Sequence, residues 1–325
     1  MGDKILRVLA VMALALSLLT GTASASAGRD ERGVFTNSSG KVAYEVHLPP
    51  GYQDRALPVV VAVHGCLMSG YGLNSMKAMT RFNEVADAQG FIVVYPTQEL
   101  GRNLQSCWNW DKVEHQRRGG GEPSLITGAT QDVIRKYHAD AKRVHVVGAS
   151  SGAGMAVILA VTYPDVYASV ASLAGGEYLF NKVKDNPELS PVDTAKLAYA
   201  EMGPRARQVP MFIVQGDADT TVPPILGERL VTHWAALDDL AVDGQLNGDV
   251  DDVADATEHV AKPGEYPYTH TGYTARAGGA PLIEKYLVAG MGHKWPGGGS
   301  GLFADPKGPD ISSILWDFFA TRHLP

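Results

Sequence analysis

Cysteine is scarce in this chain: Cys66 and Cys107 are the only two among 325 residues. A disulfide-dense small scaffold is thereby excluded. Aromatic residues make up 8% and charged residues 19%, and the formal net charge of −7 is mild. No basic stripe is present that could neutralise a nucleic-acid backbone. Beyond the N-terminus no run is long and apolar enough to cross a bilayer. Internal repeats, low-complexity linkers and a recognisable second domain are also missing.

What is present begins with a processed N-terminus. Lys4 and Arg7 form a basic start, and positions 8–19 form an apolar run too short to span a membrane comfortably. Ala23-Ser24-Ala25 and Ala25-Ser26-Ala27 are small-residue cleavage sites. Residues 1–27 therefore read as a signal peptide, and the mature chain is expected to be secreted, extracellular or periplasmic. With no cysteine near the cleavage site, no lipid or membrane anchor is expected. The two cysteines, in an exported chain, are expected to pair as one Cys66–Cys107 disulfide.

Residues 28–325 are enough for one large α/β domain. Strands are expected over 43–48, 58–63, 91–96, 143–147, 167–173, 210–214, 268–275 and 282–288, several of them continuous apolar runs such as Val59-Val60-Val61-Ala62-Val63. Helices are expected over 74–88, 127–137, 153–160, 225–237 and 311–322. The alternation predicts a mostly parallel sheet with helices on both faces. Two stretches break it. Positions 178–207 read as a polar helical insertion or cap over the site, and 238–258 as an acidic solvated loop without the full calcium-loop pattern.

The chemistry starts from Gly148-Ala149-Ser150-Ser151-Gly152, which lies between a β-branched run and an Ala-rich, helix-favouring one. Strand, sharp turn and helix are the setting in which a serine hydroxyl is presented as a nucleophile. A hydroxyl at neutral pH needs a histidine as base, and the histidine needs a carboxylate. Asp219, in Gly216-Asp217-Ala218-Asp219, follows an expected strand and lies deep enough in its loop to turn back; Asp217 is assigned a local turn role. His293, in Gly290-Met291-Gly292-His293, follows the last expected strand. Ser150, Asp219 and His293 are thus the expected catalytic residues. The oxyanion hole is expected from the backbone N–H groups of Cys66 and Ser151. His64, Trp108, Trp110 and Trp295 are expected to face substrate, the tryptophans as flat apolar surfaces. No metal or other cofactor is called for.

Together these segments resemble the polyhydroxybutyrate depolymerase family of esterases. The resemblance covers about residues 40–322. It rests on His64-Gly65-Cys66, Cys107-Trp108-Asn109-Trp110, Gly120-Gly121-Glu122-Pro123, the Ser150 and Asp219 segments, Gly290-Met291-Gly292-His293-Lys294-Trp295, and Asp305-Pro306-Lys307-Gly308-Pro309-Asp310. It implies an α/β-hydrolase fold, the same three catalytic residues and amides, and the Cys66–Cys107 bridge. Departures are Ser151, where relatives usually carry alanine, and the absence of a linker and separate substrate-binding domain. The expectation is a monomeric, secreted serine esterase acting on 3-hydroxybutyrate-type polyesters or oligomers. Rival readings are a feruloyl or acetylxylan esterase and, from another class, a non-catalytic binding protein on a hydrolase fold.

Overall fold

The computed structural model describes residues 28–325. The expected signal peptide, residues 1–27, lies outside the described residues. The chain enters through β1 (Arg29–Asn37) and β2 (Gly40–Leu48), then β3 (Val59–Val63), α1 (Met76–Thr80), α2 (Phe82–Gln89), β4 (Ile92–Thr97) and α3 (Gly121–Tyr137). It continues through β5 (Val144–Ala149), α4 (Ser151–Thr162), β6 (Ser169–Leu173), α5 (Phe180–Asp185), α6 (Pro191–Met202), β7 (Met211–Gly216) and α7 (Ile225–Asp243). β8 (Ala256–Val260), β9 (Tyr268–Tyr273), β10 (Ile283–Val288) and α8 (Ile311–Ala320) complete the domain.

One ten-stranded sheet runs in the order β1-β2-β4-β3-β5-β6-β7-β10-β9-β8. The inner strands from β4 to β10 are parallel, and an antiparallel pair closes each edge. The buried strands alternate between two apolar layers, as a pleat of period two requires. Val59, Val61, Val63, Met211 and Ile213 pack beneath residues of α3, α4, α6 and α7. Val60, Ala62, Phe212 and Val214 pack beneath α1, α2 and α8. This is the α/β-hydrolase architecture, in a single domain. Both faces of the central strands are covered, so their sequences are apolar without interruption.

Several elements differ from the sequence expectations, among them β8, which starts inside the stretch expected as an acidic loop. β1 was not expected, because its exposure alternates between open and half-buried and its residues are mostly polar. It is an edge strand, and charge on such an edge discourages further pairing. The single helix expected over 74–88 is two, broken where Arg81 adopts a left-handed backbone, φ 57°. α3 begins six residues earlier than expected, since Pro123 falls in the first turn, where its missing N–H costs nothing. The 178–207 stretch does not cap the site as a whole. Ala195, Ala198 and Met202 of α6 are buried in the helical layer with α4 and α7.

The acidic stretch is more ordered than a solvated loop. α7 runs through it to Asp243, and Asp239 accepts hydrogen bonds from the backbone N–H groups of Asn247, Gly248 and Val250. Among the described residues no helix is long and apolar enough to cross a membrane.

Cys66 and Cys107 form a disulfide across a separation of 41 residues. On the chain-entropy account, closing a loop of that size stabilises the fold by about 4 kcal/mol. Thiol titration of the denatured, unreduced protein is expected to find no free thiol, and reduction to lower the thermal midpoint by several degrees. Two titratable thiols without reductant would contradict the bridge.

Candidate active site

The ends of β3, β5, β7 and β10 meet at one edge of the parallel sheet, as ligand sites in open α/β sheets do. Between β5 and α4 the chain turns at Ser150 with φ 55° and ψ −120°. For a residue with a side chain this backbone costs about 1–3 kcal/mol. The glycines on either side make the turn feasible. A Cβ on Gly148 would lie 2.0 Å from the Gly152 carbonyl oxygen, and one on Gly152 would lie 2.2 Å from that of Val63. Any larger residue would push strand and helix apart.

β7 delivers Asp219. Its side chain has no exposed surface, and its Oδ2 accepts a 2.7 Å hydrogen bond from Nδ1 of His293. The other oxygen, Oδ1, accepts from the N–H groups of Thr221 (2.8 Å) and Val222 (2.9 Å). The carboxylate is therefore fixed before it meets the imidazole. With the proton held at Nδ1, Nε2 of His293 carries the free lone pair, as a general base requires. Ser150 and His293 line the same cavity. Among the described residues no hydrogen bond joins their side chains, a spacing that catalytic pairs commonly close only once substrate is bound.

The sequence expectation for Asp217 needs correction. It is not confined to a local turn: its Oδ1 accepts from the N–H of Gly290, 2.6 Å away and 73 residues on. The Asp217 N–H reaches the Val288 carbonyl, and the Ala218 N–H reaches that of Met291. Asp217 thus ties the histidine loop to the aspartate loop.

On the other side of Ser150 lies the loop after β3. Gly65 packs against the turn at Ser150, where a Cβ would sit 3.2 Å from Ser150 Cβ. The N–H groups of Cys66 and Ser151 make no hydrogen bonds among the described residues and are available to an oxyanion. Three contacts hold the loop around Cys66: its bridge to Cys107, the Leu67 N–H to the Gln105 carbonyl at 2.7 Å, and His64 Nδ1 to the Gly65 carbonyl at 2.7 Å. The His64 ring is wholly buried, which pushes its pKa down to about 4. It is neutral, with Nε2 accepting from the Gln98 N–H and Nδ1 donating to the Gly65 carbonyl. His64 is consequently part of the loop's support and offers no surface to a substrate.

Behind His64 sits a residue the site assignments missed. Glu122, fully buried, accepts hydrogen bonds from the Gln98 side-chain amide, the Asn109 N–H and the Asn109 side-chain amide. Gln98 also donates to the Cys107 carbonyl. One carboxylate therefore organises the backing of both cysteines. The only sequence signal was Gly120-Gly121-Glu122-Pro123, a helix start preceded by glycines.

The tryptophans divide. Trp108 is 1% exposed and its ring lies 5.1 Å from that of His64, so it is packing beneath the loop and cannot be a substrate platform. Trp295 is 2% exposed and donates from Nε1 to Ser312, although one part of it borders the main cavity. Trp110 is half-buried and faces a second, smaller cavity. The main cavity, about 530 Å³, is lined largely by apolar side chains, including Leu67, Met68, Met79 and Phe303. Among the described residues no cluster of side chains suited to holding a metal is found.

Asp219→Asn is expected to lower kcat by roughly 10⁴-fold, through loss of the correct imidazole tautomer. Asp217→Asn should cost far less, since an amide oxygen can still accept from Gly290; the reverse ranking in steady-state assays would exchange the two roles. Glu122→Gln sets an N–H against existing donors in either orientation. It is expected to cost about 1–3 kcal/mol of stability and about 10–100-fold in kcat with KM little changed, read by thermal melts and kinetics.

Known proteins resemble this chain over most of its length. Poly(3-hydroxyalkanoate) depolymerase C of Paucimonas lemoignei is 30% identical over 274 residues, covering 81% of this chain; the chain spans 60% of that relative's length. Feruloyl esterase B of Neurospora crassa is 29% identical over 253 residues, covering 73% of this chain and 78% of that one. Among solved structures, an acetyl xylan esterase from Aspergillus awamori superposes with a TM-score of 0.67 at 22% identity, covering 89% of this chain and 99% of the other, a likeness of fold. The family model described as esterase PHB depolymerase matches residues 42–240, more than half of the chain. On that match, and with a site laid out at the strand ends in the order serine, aspartate, histidine, the chain belongs to the PHB depolymerase family of esterases.

Proposed function

We propose that this protein is a serine carboxylic-ester hydrolase in which Ser150 is the nucleophile, His293 the base and Asp219 its orienting acid. The observation that carries the reading is the 2.7 Å His293–Asp219 hydrogen bond beside the cavity that Ser150 lines. Ser150 Oγ attacks the ester carbonyl carbon while His293 Nε2 takes its proton. The carbonyl oxygen, now negative, receives hydrogen bonds from the N–H groups of Cys66 and Ser151. Such prepositioned donors are worth roughly 3–4 kcal/mol each in comparable enzymes. The tetrahedral species collapses, the bond to the alcohol oxygen breaks, and His293 returns the proton to the departing alcohol. Water then attacks the acyl carbon while His293 Nε2 takes one of its protons; the bond from that carbon to Ser150 Oγ breaks, His293 returns the proton to Oγ, and the acid is released.

The proposed substrates are 3-hydroxybutyrate-type polyesters or their oligomers. Support comes from the 30% identity to a poly(3-hydroxyalkanoate) depolymerase and from the apolar walls of the main cavity. A feruloyl ester is the second reading, favoured by the relative that this chain covers over 78% of its length. We also propose that the protein is exported and acts as a monomer, without cofactor or membrane anchor. The disulfide supports export, because such bonds persist in oxidising compartments.

Ser150→Ala is expected to lower turnover by around a millionfold, since the members of such a triad act as a unit. Near-normal turnover in that variant would remove Ser150 from its role. In a side-by-side assay of amorphous polyhydroxybutyrate, methyl ferulate and acetylated xylan, the polyester is expected to be hydrolysed fastest. A clear preference for methyl ferulate would move the protein to the second reading.

A further inference from the structure

Ser150 stands between two cavities. Cys66, Ser150 and Ala174 border both. The larger contains His293 in its wall; the smaller, of about 210 Å³, does not, and is enclosed by Ser151 and the side chains of Trp110, Ile158, Phe180 and Leu226. Trp110 and Phe180 face each other with ring centres 6.0 Å apart. The one carboxylate in this second wall, Glu177, is neutralised by Arg229, which donates to both of its oxygens, and it also accepts from Thr194. The smaller cavity is therefore apolar and carries no free charge.

The two sides of an ester are not equivalent at such a site. When the acyl–oxygen bond breaks and the Ser150–acyl bond forms, the departing alcohol oxygen must face His293 Nε2 to receive the proton that left Ser150. The alcohol portion then lies on the His293 side, and the acyl portion is directed away from it. We propose that the smaller cavity is the acyl subsite, built for a short aliphatic acyl group, and that the larger cavity takes the alcohol portion. The assignment rests on the reading of Ser150 and His293 given above. At about 30 Å³ per water-sized group, 210 Å³ holds roughly seven such groups. By that count an acetyl group would occupy less than half of this space, a butyryl or 3-hydroxybutyryl group most of it, and an eight-carbon chain would exceed it. Leu226, on the first turn of α7, and Phe180, at the start of α5, set its size.

The test uses p-nitrophenyl acetate, butyrate and octanoate, which share one leaving group, and a second series of methyl, phenyl and naphthyl acetates, which share one acyl group. Filling the cavity with Leu226→Trp is expected to lower the butyrate-to-acetate ratio of kcat/KM about tenfold or more. Enlarging it with Phe180→Ala should raise the octanoate-to-butyrate ratio, so a folding failure of one variant leaves the other to decide. In both variants the ratios within the alcohol series should move less than the acyl ratios. If the alcohol ratios move and the acyl ratios do not, the two cavities are assigned the wrong way round. Labelling with a fluorophosphonate, followed by peptide mapping, separates this result from the catalytic reading. A label found elsewhere than Ser150 overturns both; a labelled Ser150 with unmoved acyl ratios overturns the subsite alone.

Discussion

At Gly152, the first turn of α4 rests directly on the end of β3. A Cβ there would come within 2.2 Å of the Val63 carbonyl oxygen and 2.4 Å of that of His64. This contact joins two of the segments from which the site is assembled, the turn at Ser150 and the loop after β3. It forces the chain to reverse sharply at Ser150, whose backbone takes a conformation that L-residues seldom adopt. It also brings the His64-Gly65-Cys66 loop against the turn, where a Cβ on Gly65 would lie 3.2 Å from Ser150 Cβ. The strain at Ser150 is sustained by the surrounding sheet: the Ser150 N–H donates to the Leu173 carbonyl, and β5 is paired on both edges.

Around that crossing the polar groups are held in two separate brackets. On one side Glu122 gathers Gln98 and Asn109, and Gln98 in turn supports neutral His64 and the Cys107 carbonyl. On the other, Asp219 is fixed by backbone N–H groups before it binds His293, while Asp217 fastens the loop from which His293 projects. A buried carboxylate surrounded by donors is strongly committed to one geometry, because removing any donor leaves charge without compensation. Among the described residues no hydrogen bond joins the two brackets, and Ser150 lines the cavity that Cys66 and His293 share. The cavities on its two sides follow from the same layout: one opens beneath the histidine loop, the other between α4 and the start of α7.

Much of this was legible in the primary structure. The central strands appear as unbroken apolar runs because both their faces are covered, and the helices alternate with them in the order a parallel sheet demands. Ser150, Asp219 and His293 could be picked out because each directly follows an expected strand and sits among small or turn-forming residues. β1 escaped notice because an exposed edge needs no apolar pattern, and the α1–α2 break because nothing in the residues near Arg81 marks a left-handed turn.

By itself, then, the sequence determined the fold class, the sheet's apolar core and the chain order of serine, aspartate and histidine, since these depend on local patterning and on what must lie between layers. Only the tertiary structure decided which side chains reach the cavities. Trp108 and Trp110 are two residues apart, yet one is sealed beneath the His64-Gly65-Cys66 loop and the other opens onto the smaller cavity. Asp217 and Glu122 acquire their roles from partners at Gly290 and at Gln98 and Asn109. Such roles arise where loops distant in the chain converge, and the composition of one loop carries no record of what another places against it.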